Sequence, residues 1–258
     1  MTTASLDMPT KVGEHPLARH WRALDRIYCI SLSNRPDRIQ HARLQFQRVG
    51  LANLVEFVVV DKHPTNSELG IFQSHMGCLR AGLDAGAQQI AIFEDDILFK
   101  RFSPDRLKRA LRFMESGEDW QLLFFGCFVN SSRKTDYRSV VKVTFRCCAH
   151  GYVINRPFAE QVVAMPWQNV PYDDMIRSLK PRNVYAVYPA FAYQSNSATD
   201  NDNRLGVDRA RRIFGGLHRL QHWNEFSTRR MIPLILAHVA LFFILVLILL
   251  LHYGLPWK

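Results

Sequence analysis

Short apolar runs alternate with longer amphipathic stretches along the chain, and each apolar run ends on polar or charged residues. RIYCISLS has the pattern of a buried strand, and in the NRPDR that follows Asn34 can cap a helix with Pro36 in its first turn. Ile39, Ala42, Phe46 and Val49 then recur at helical spacing until Gly50. LVEFVVVD predicts a second strand ending at Asp61, ELGIFQSHMGCLRAGLDAG a helix ending near Gly86, and QQIAIFEDD a third strand. In SPDRLKRALRFM, Ser103 supplies a cap, Pro104 the first helical position, and Leu107, Leu111 and Met114 one apolar face. QLLFFGCFV predicts a further strand, RSVVKVTFRCCAHGYVINR a pair of strands, and PFAEQVVAM a short helix. Beyond Pro171 the pattern weakens to a helix over PYDDMIRSLK and a strand over NVYAVYPAFAYQ. Strand and helix in alternation predict an α/β fold with a mainly parallel central sheet, whose ligands bind at the carboxyl ends of the strands.

One stretch breaks this rhythm. From Met231 to Leu251 the chain is almost wholly apolar, with His238 its one strongly polar side chain. About 21 residues at ~1.5 Å each reach roughly 31 Å, enough to cross a bilayer core as a transmembrane helix. Arg209, Arg211, Arg212, Arg219, Arg229 and Arg230 precede the span, whereas the tail beyond it offers Lys258 alone, with Tyr253 and Trp257 suited to the far interface. The positive-inside bias then places the preceding domain in the cytoplasm, held against anionic lipid by the arginines. The expected organisation is a flexible segment over 1–24, one globular domain over 25–204, a basic juxtamembrane segment over 205–230, the transmembrane helix over 231–251 and a short tail over 252–258. The first residues contain no apolar stretch of the kind a secretory signal needs.

At 258 residues and 48% hydrophobic composition the chain can bury one full-sized core. A net charge of +10 favours anionic partners without choosing among nucleic acid, lipid and nucleotide. The five cysteines are odd in number, lie mostly in apolar runs and form no C-x-x-C pair, so they read as reduced core residues. Against the positive balance, Glu94, Asp95 and Asp96 stand together after the Ile90 to Phe93 run. At a strand end their oxygens can hold a divalent cation beside a bound diphosphate.

IYCISLSNRPDR, ELGIFQSHMGCLRAG, IAIFEDDILF and AHGYVINRPFAEQVV with PYDDMI behind it resemble, in their order and spacing, glycosyltransferase family 25. That family includes lipopolysaccharide sugar transferases and collagen galactosyltransferases. The resemblance covers roughly residues 26 to 200. It implies a single GT-A-like domain and a metal-dependent hexosyltransferase that uses a nucleotide diphosphate sugar. It also implies residue roles. Asp96, with Glu94, would ligate Mn²⁺ or Mg²⁺. Arg35, Arg38, Ser74, His75, Glu94 and Asp95 would bind the donor. Asp174, ahead of Asp173, would act as the base that takes the acceptor hydroxyl proton. The expected partners are a nucleotide-sugar donor, a lipopolysaccharide, glycolipid or other glycan acceptor, and the membrane, with no nucleic acid. Transfer of galactose or glucose with inversion is the expected outcome. Two other classes share some of these features: a metal-dependent phosphoryl-transfer enzyme of the nuclease kind, and a non-catalytic membrane module.

Overall fold

A computed structural model describes residues 15–197, 200–201 and 215–253. In chain order the elements are α1 (Ala18–Trp21), β1 (Arg26–Leu32), α2 (Pro36–Val49), β2 (Glu56–Val60), α3 (Ser67–Asp84), β3 (Gln89–Glu94), β4 (Ile97–Phe99) and α4 (Pro104–Met114). There follow β5 (Leu122–Phe124), β6 (Phe128–Lys134), β7 (Val140–Cys147), β8 (Gly151–Asn155), α5 (Arg156–Val163), α6 (Tyr172–Ser178), β9 (Val184–Val187), β10 (Ala192–Gln194), α7 (Leu217–Arg229) and α8 (Met231–Tyr253).

The central strands β3, β5, β8 and β9 read as unbroken apolar runs because both faces of the sheet are covered there, whereas β6 and β7 at one edge carry polar residues. Side chains alternate between two cores. Tyr28, Ile90, Ile92, Leu122, Phe124, Tyr152 and Val184 pack under α3, α5 and α6. Their neighbours Ile27, Cys29, Ala91, Phe93, Leu123, Val153 and Tyr185 pack under α2 and α4. The main sheet has eight strands in the order β2-β1-β3-β8-β5-β9-β7-β6. Six of them run one way and only β8 and β7 oppose, so the sheet is mainly parallel in direction although its pairings are mixed. β4 and β10 form a separate antiparallel pair.

Three departures from expectation matter for the site. Residues 15–24, expected within the flexible segment, are packed. Trp21 is fully buried, donates from Nε1 to the Val49 carbonyl at 2.8 Å and meets the Phe125 ring edge-on at 5.5 Å. The single strand expected over QLLFFGCFV is two, β5 and β6, parted at Gly126. A Cβ there would stand 1.9 Å from the Ala192 carbonyl oxygen, so only glycine allows that approach. The strand expected over NVYAVYPAFAYQ likewise divides into β9 and β10, which join different sheets.

The basic juxtamembrane segment is also more than a linker over its described part. α7 is docked by polar side chains: Gln221 Nε2 donates to the Ala192 carbonyl at 3.0 Å, and Glu225 accepts from the Ala190 amide at 2.8 Å. Asn224 accepts from the Val129 amide at 2.8 Å and donates to its carbonyl at 2.9 Å. α8 follows after Arg230 alone, and Ile235–His252 within it is apolar enough to cross a membrane and buries none of that surface in the protein. None of the five cysteines is in a disulfide. Arg209, Arg211, Arg212, Trp257 and Lys258 lie outside the described residues.

Candidate active site

β1, β2 and β3 deliver their carboxyl ends to one edge of the sheet. There a cleft of about 220 Å³ is lined by Ile30, Leu32 and Arg38, by Val60 and Asp61, by the first turns of α3 and by the acidic block. Its far wall is built from Cys148, Ala149, Tyr172, Asp173 and Gln194, with Asp200 and Asn201 at the margin. Residues nearly eighty positions apart in the chain, Glu94–Asp96 and Asp173, therefore share one cavity.

α3 starts where Asn66 accepts from the Leu69 amide at 3.1 Å. Two turns later it carries His75 into the cleft wall, buried and stacked on Tyr172 with centroids 4.0 Å apart. His75 Nδ1 meets the Tyr152 hydroxyl at 3.1 Å, and that hydroxyl lies 2.8 Å from the Tyr172 hydroxyl. On its other side His75 Nε2 faces Glu94 Oε1 at 3.6 Å. The remaining Glu94 oxygen accepts from Gln194 Nε2 at 3.2 Å, an approach that the β4–β10 pairing makes possible. Burial pushes the Glu94 carboxyl up, but His75 first, then His150 and Arg38, outweigh it and hold it below its ordinary value.

Asp173 sits in the first turn of α6, opposite the corner between β7 and β8. Cys148 adopts a left-handed φ of 72°, and its amide donates to Asp173 Oδ2 at 2.8 Å while the Ala149 amide donates to Oδ1 at 3.2 Å. Such a backbone conformation costs of order 1 kcal/mol or more for a non-glycine residue, and here it turns two amides toward one carboxylate. Burial raises the Asp173 carboxyl to about 6, the Cys148 amide opposing it. A carboxylate with that affinity, half-satisfied by backbone donors and lining a cleft, is suited to accepting a proton.

The cation expected at the acidic block meets a mixed set of donors. Asp95 Oδ1 accepts from Arg38 at 3.2 Å, while Oδ2 is buried with no hydrogen-bond partner among the described residues. Burial raises this carboxyl, and Arg38 only partly opposes the shift. Among the described residues no group of three His, Cys, Asp or Glu side chains converges to hold a metal ion unaided. Asp95 and Asp96 present buried carboxylate oxygens of the kind a hard divalent cation takes, and such a cation would need further ligands from outside the protein side chains. Glu94, expected on the metal, is instead committed to His75 and Gln194.

The other expected site residues divide. Arg38, Ser74, His75, Glu94, Asp95, Asp96 and Asp173 line the cleft, and Arg35 and Asp174 do not. Arg35 is held between Asp37 and Asp200, and Asp200 also lies 3.4 Å from Arg38, so these arginines position carboxylates. Ser74 lends its hydroxyl to the Gly70 carbonyl at 2.7 Å. Asp174, the expected base, is ion-paired with Arg177 one turn along α6. The sequence offered little sign of Tyr152, Tyr172, Gln194 and Asp200. Both tyrosines sit at strand or helix positions that read as core, Gln194 is the last residue of a segment expected to be an ordinary strand, and the stretch holding Asp200 has no periodicity.

Residues 51–176 match the family model described as Glycosyltransferase family 25 (LPS biosynthesis protein). Procollagen galactosyltransferase 1 of Danio rerio is 29% identical over 140 residues, 51% of this chain, and the chain spans 22% of that relative's length. Among solved structures, A197 from STIV aligns with 66% of this chain and 85% of its own at 14% identity and a TM-score of 0.43. A glycosyltransferase involved in the glycosylation of the major capsid of PBCV-1 aligns with 72% and 99% at 10% identity and a TM-score of 0.40.

Proposed function

Starting from a chain that belongs to glycosyltransferase family 25 over residues 51–176, we propose that it moves a hexose from a nucleotide diphosphate sugar to a hydroxyl of a glycan or glycolipid acceptor, with inversion. The observation that carries this reading is the shared cleft, in which the acidic block and Asp173 face one space. Asp173, rather than Asp174, takes the proton of the acceptor hydroxyl as its oxygen attacks the anomeric carbon and the carbon–phosphate oxygen bond breaks. Asp95 and Asp96 would hold the Mn²⁺ or Mg²⁺, which when bound offsets charge developing on the leaving diphosphate. Glu94 keeps the His75 ring in place, and the apolar side chains of Ile30, Leu32, Val60 and Ile71 give a base or sugar face something to lie against. α8 crosses the membrane with the domain on the cytoplasmic side, and confinement to one surface raises the encounter rate with a lipid-linked acceptor.

The test is turnover of a panel of nucleotide diphosphate hexoses by the purified full chain, with acceptor and alone, set beside a nucleic-acid substrate. Asp173→Asn is expected to lower the transfer rate about 10²- to 10⁴-fold while donor affinity measured by calorimetry stays within a few fold. Lost donor affinity with a normal rate at saturation would make Asp173 a binding group. Turnover of nucleic acid alone would replace sugar transfer by phosphoryl transfer.

A further inference from the structure

A second cleft, of about 450 Å³, opens between α4, the turn joining β6 to β7, and the end of α7. Its lining includes the cations Arg106, Arg109, Lys134, Arg138 and Arg229, and no carboxylate. Three of these are already held in place. Arg109 Nε donates to Ser139 Oγ at 3.1 Å, Arg106 reaches the carbonyls of Arg101, Pro189 and Ala190, and the Arg229 guanidinium lies 3.9 Å over the Tyr188 ring. Lys134 and Arg138 stand exposed at the rim. Glu225, outside the lining, offsets part of the charge on Arg106; gathering the remaining like charges costs energy, and ordering their side chains in advance lowers what an anion must spend to bind. Ser139, whose Oγ accepts from Arg109, keeps a hydroxyl hydrogen of the kind phosphate oxygens accept from, whereas the Thr135 hydroxyl is spent on the Val140 carbonyl at 2.7 Å and serves to shape the turn.

The location narrows which anion. Arg229 is the last residue of α7, and only Arg230 separates it from α8. Along α7, Gln221, Asn224 and Glu225 face the domain, whereas Trp223 and Phe226 are 65% and 38% exposed beside the exposed Arg219 and His222, the arrangement of a helix whose outer side rests in a headgroup layer. Arg230 stacks on Phe226 at 4.6 Å, continuing that outer side to the root of α8. We propose that the cleft binds the phosphate headgroup of an anionic phospholipid of the membrane that α8 enters. The proposal rests on α8 being membrane-embedded. It gives the domain a defined lipid contact in addition to its anchor, and it fixes which side of the domain faces the bilayer.

Binding of phosphatidylglycerol and of phosphatidylcholine to the full chain in detergent micelles, followed by native mass spectrometry, tests this. Phosphatidylglycerol is expected to bind in preference, and Lys134→Ala with Arg138→Ala to weaken it by about fivefold for each cation removed, roughly thirtyfold for the pair. Arg133→Ala with Arg182→Ala, in another cation-rich groove, is expected to leave it unchanged. Equal binding of the two lipids, or equal loss in both paired variants, would overturn the proposal. So would inorganic phosphate binding as tightly as the lipid, which would mark a general anion site. Partition of the same preparation into bilayers is scored separately. Failure to partition would remove the membrane reading of α8 and this proposal with it, while partition without lipid preference would remove the headgroup site alone.

Discussion

A carboxyl that titrates near pH 6 makes turnover depend on pH where most carboxylates are already ionised. Burial raises Asp173 from 3.8 to about 6. If it is the base, the transfer rate rises through that range to a plateau, and Asp173→Asn abolishes the limb along with most of the rate; an unchanged limb in the variant would assign it to another group. Stability runs the opposite way. With the folded value above the unfolded one, the folded protein holds a proton the unfolded chain releases, so this group's contribution is fully present below about pH 4 and is lost as pH rises through about 6. The acidic block gives a second expectation at this scale. Removing divalent metal with a chelator should abolish transfer, and Asp95→Asn and Asp96→Asn should each raise the metal concentration needed for half-maximal rate by tenfold or so, about 1.4 kcal/mol of lost metal affinity. Glu94→Gln should leave that concentration unchanged and lower the rate, because it loosens His75; metal titrations of the three variants separate these roles. The acidic block was legible as a cluster in sequence, but the division of labour inside it was not, since it depends on Gln194, a hundred residues away. The choice between Asp173 and Asp174 was hidden for a similar reason. Neighbours on a helix point about 100° apart, and only the corner at Cys148 decides which of them it meets.

α7 shows where periodicity misleads. A helix that meets its domain through Gln221, Asn224 and Glu225 and turns Trp223 and Phe226 outward has the reverse of the usual amphipathic pattern, so its composition reads as a basic linker. The consequence concerns truncation. A chain ending after Arg230 keeps every one of these bonds and is expected to fold, stay in solution without detergent and turn over donor at the rate of the full chain. A chain ending at His222 loses Asn224 and Glu225 and leaves the Val129 and Ala190 backbone groups they serve in need of water. At about 1 kcal/mol for each hydrogen bond lost, it is expected to unfold at a clearly lower urea concentration; equal midpoints would show that α7 adds nothing to the domain. Short elements escaped the sequence for a simpler reason. β4 and β10 have three residues each, too few for a period to register, yet their pairing is what brings Gln194 beside Glu94.

At the scale of the molecule, the order of elements and the edge that carries the site were legible because strands buried on both faces leave long apolar runs and helices between them leave amphipathic ones. The opposing strands β7 and β8 were legible as strands, but their places were not: they do not pair with each other, β7 lying between β6 and β9 and β8 between β3 and β5, and of these only the β6–β7 pairing is local in sequence. The side of the membrane is open to direct measurement. Cysteine labelling at Arg182→Cys, an exposed position away from the proposed headgroup cleft, in sealed vesicles of known orientation is expected to report the cytoplasmic face, and labelling from the opposite face would reverse the orientation and the inference that the cysteines stay reduced. A last consequence follows from the single residue between α7 and α8. Since α7 is bonded to Val129 of β6 and Ala192 of β10, a domain whose α8 lay in a bilayer would have a stub of about 3.5 Å where a tether would have slack, and the cleft would work at one fixed height above that surface. Acceptors would then be sorted by the length of what lifts their hydroxyl off the surface. A Gly/Ser insertion at Arg230, reaching roughly 5–6 Å × √n for n residues, should blur that sorting: acceptors with short and long stems would converge in rate, while hydrolysis of donor in water stays as it was.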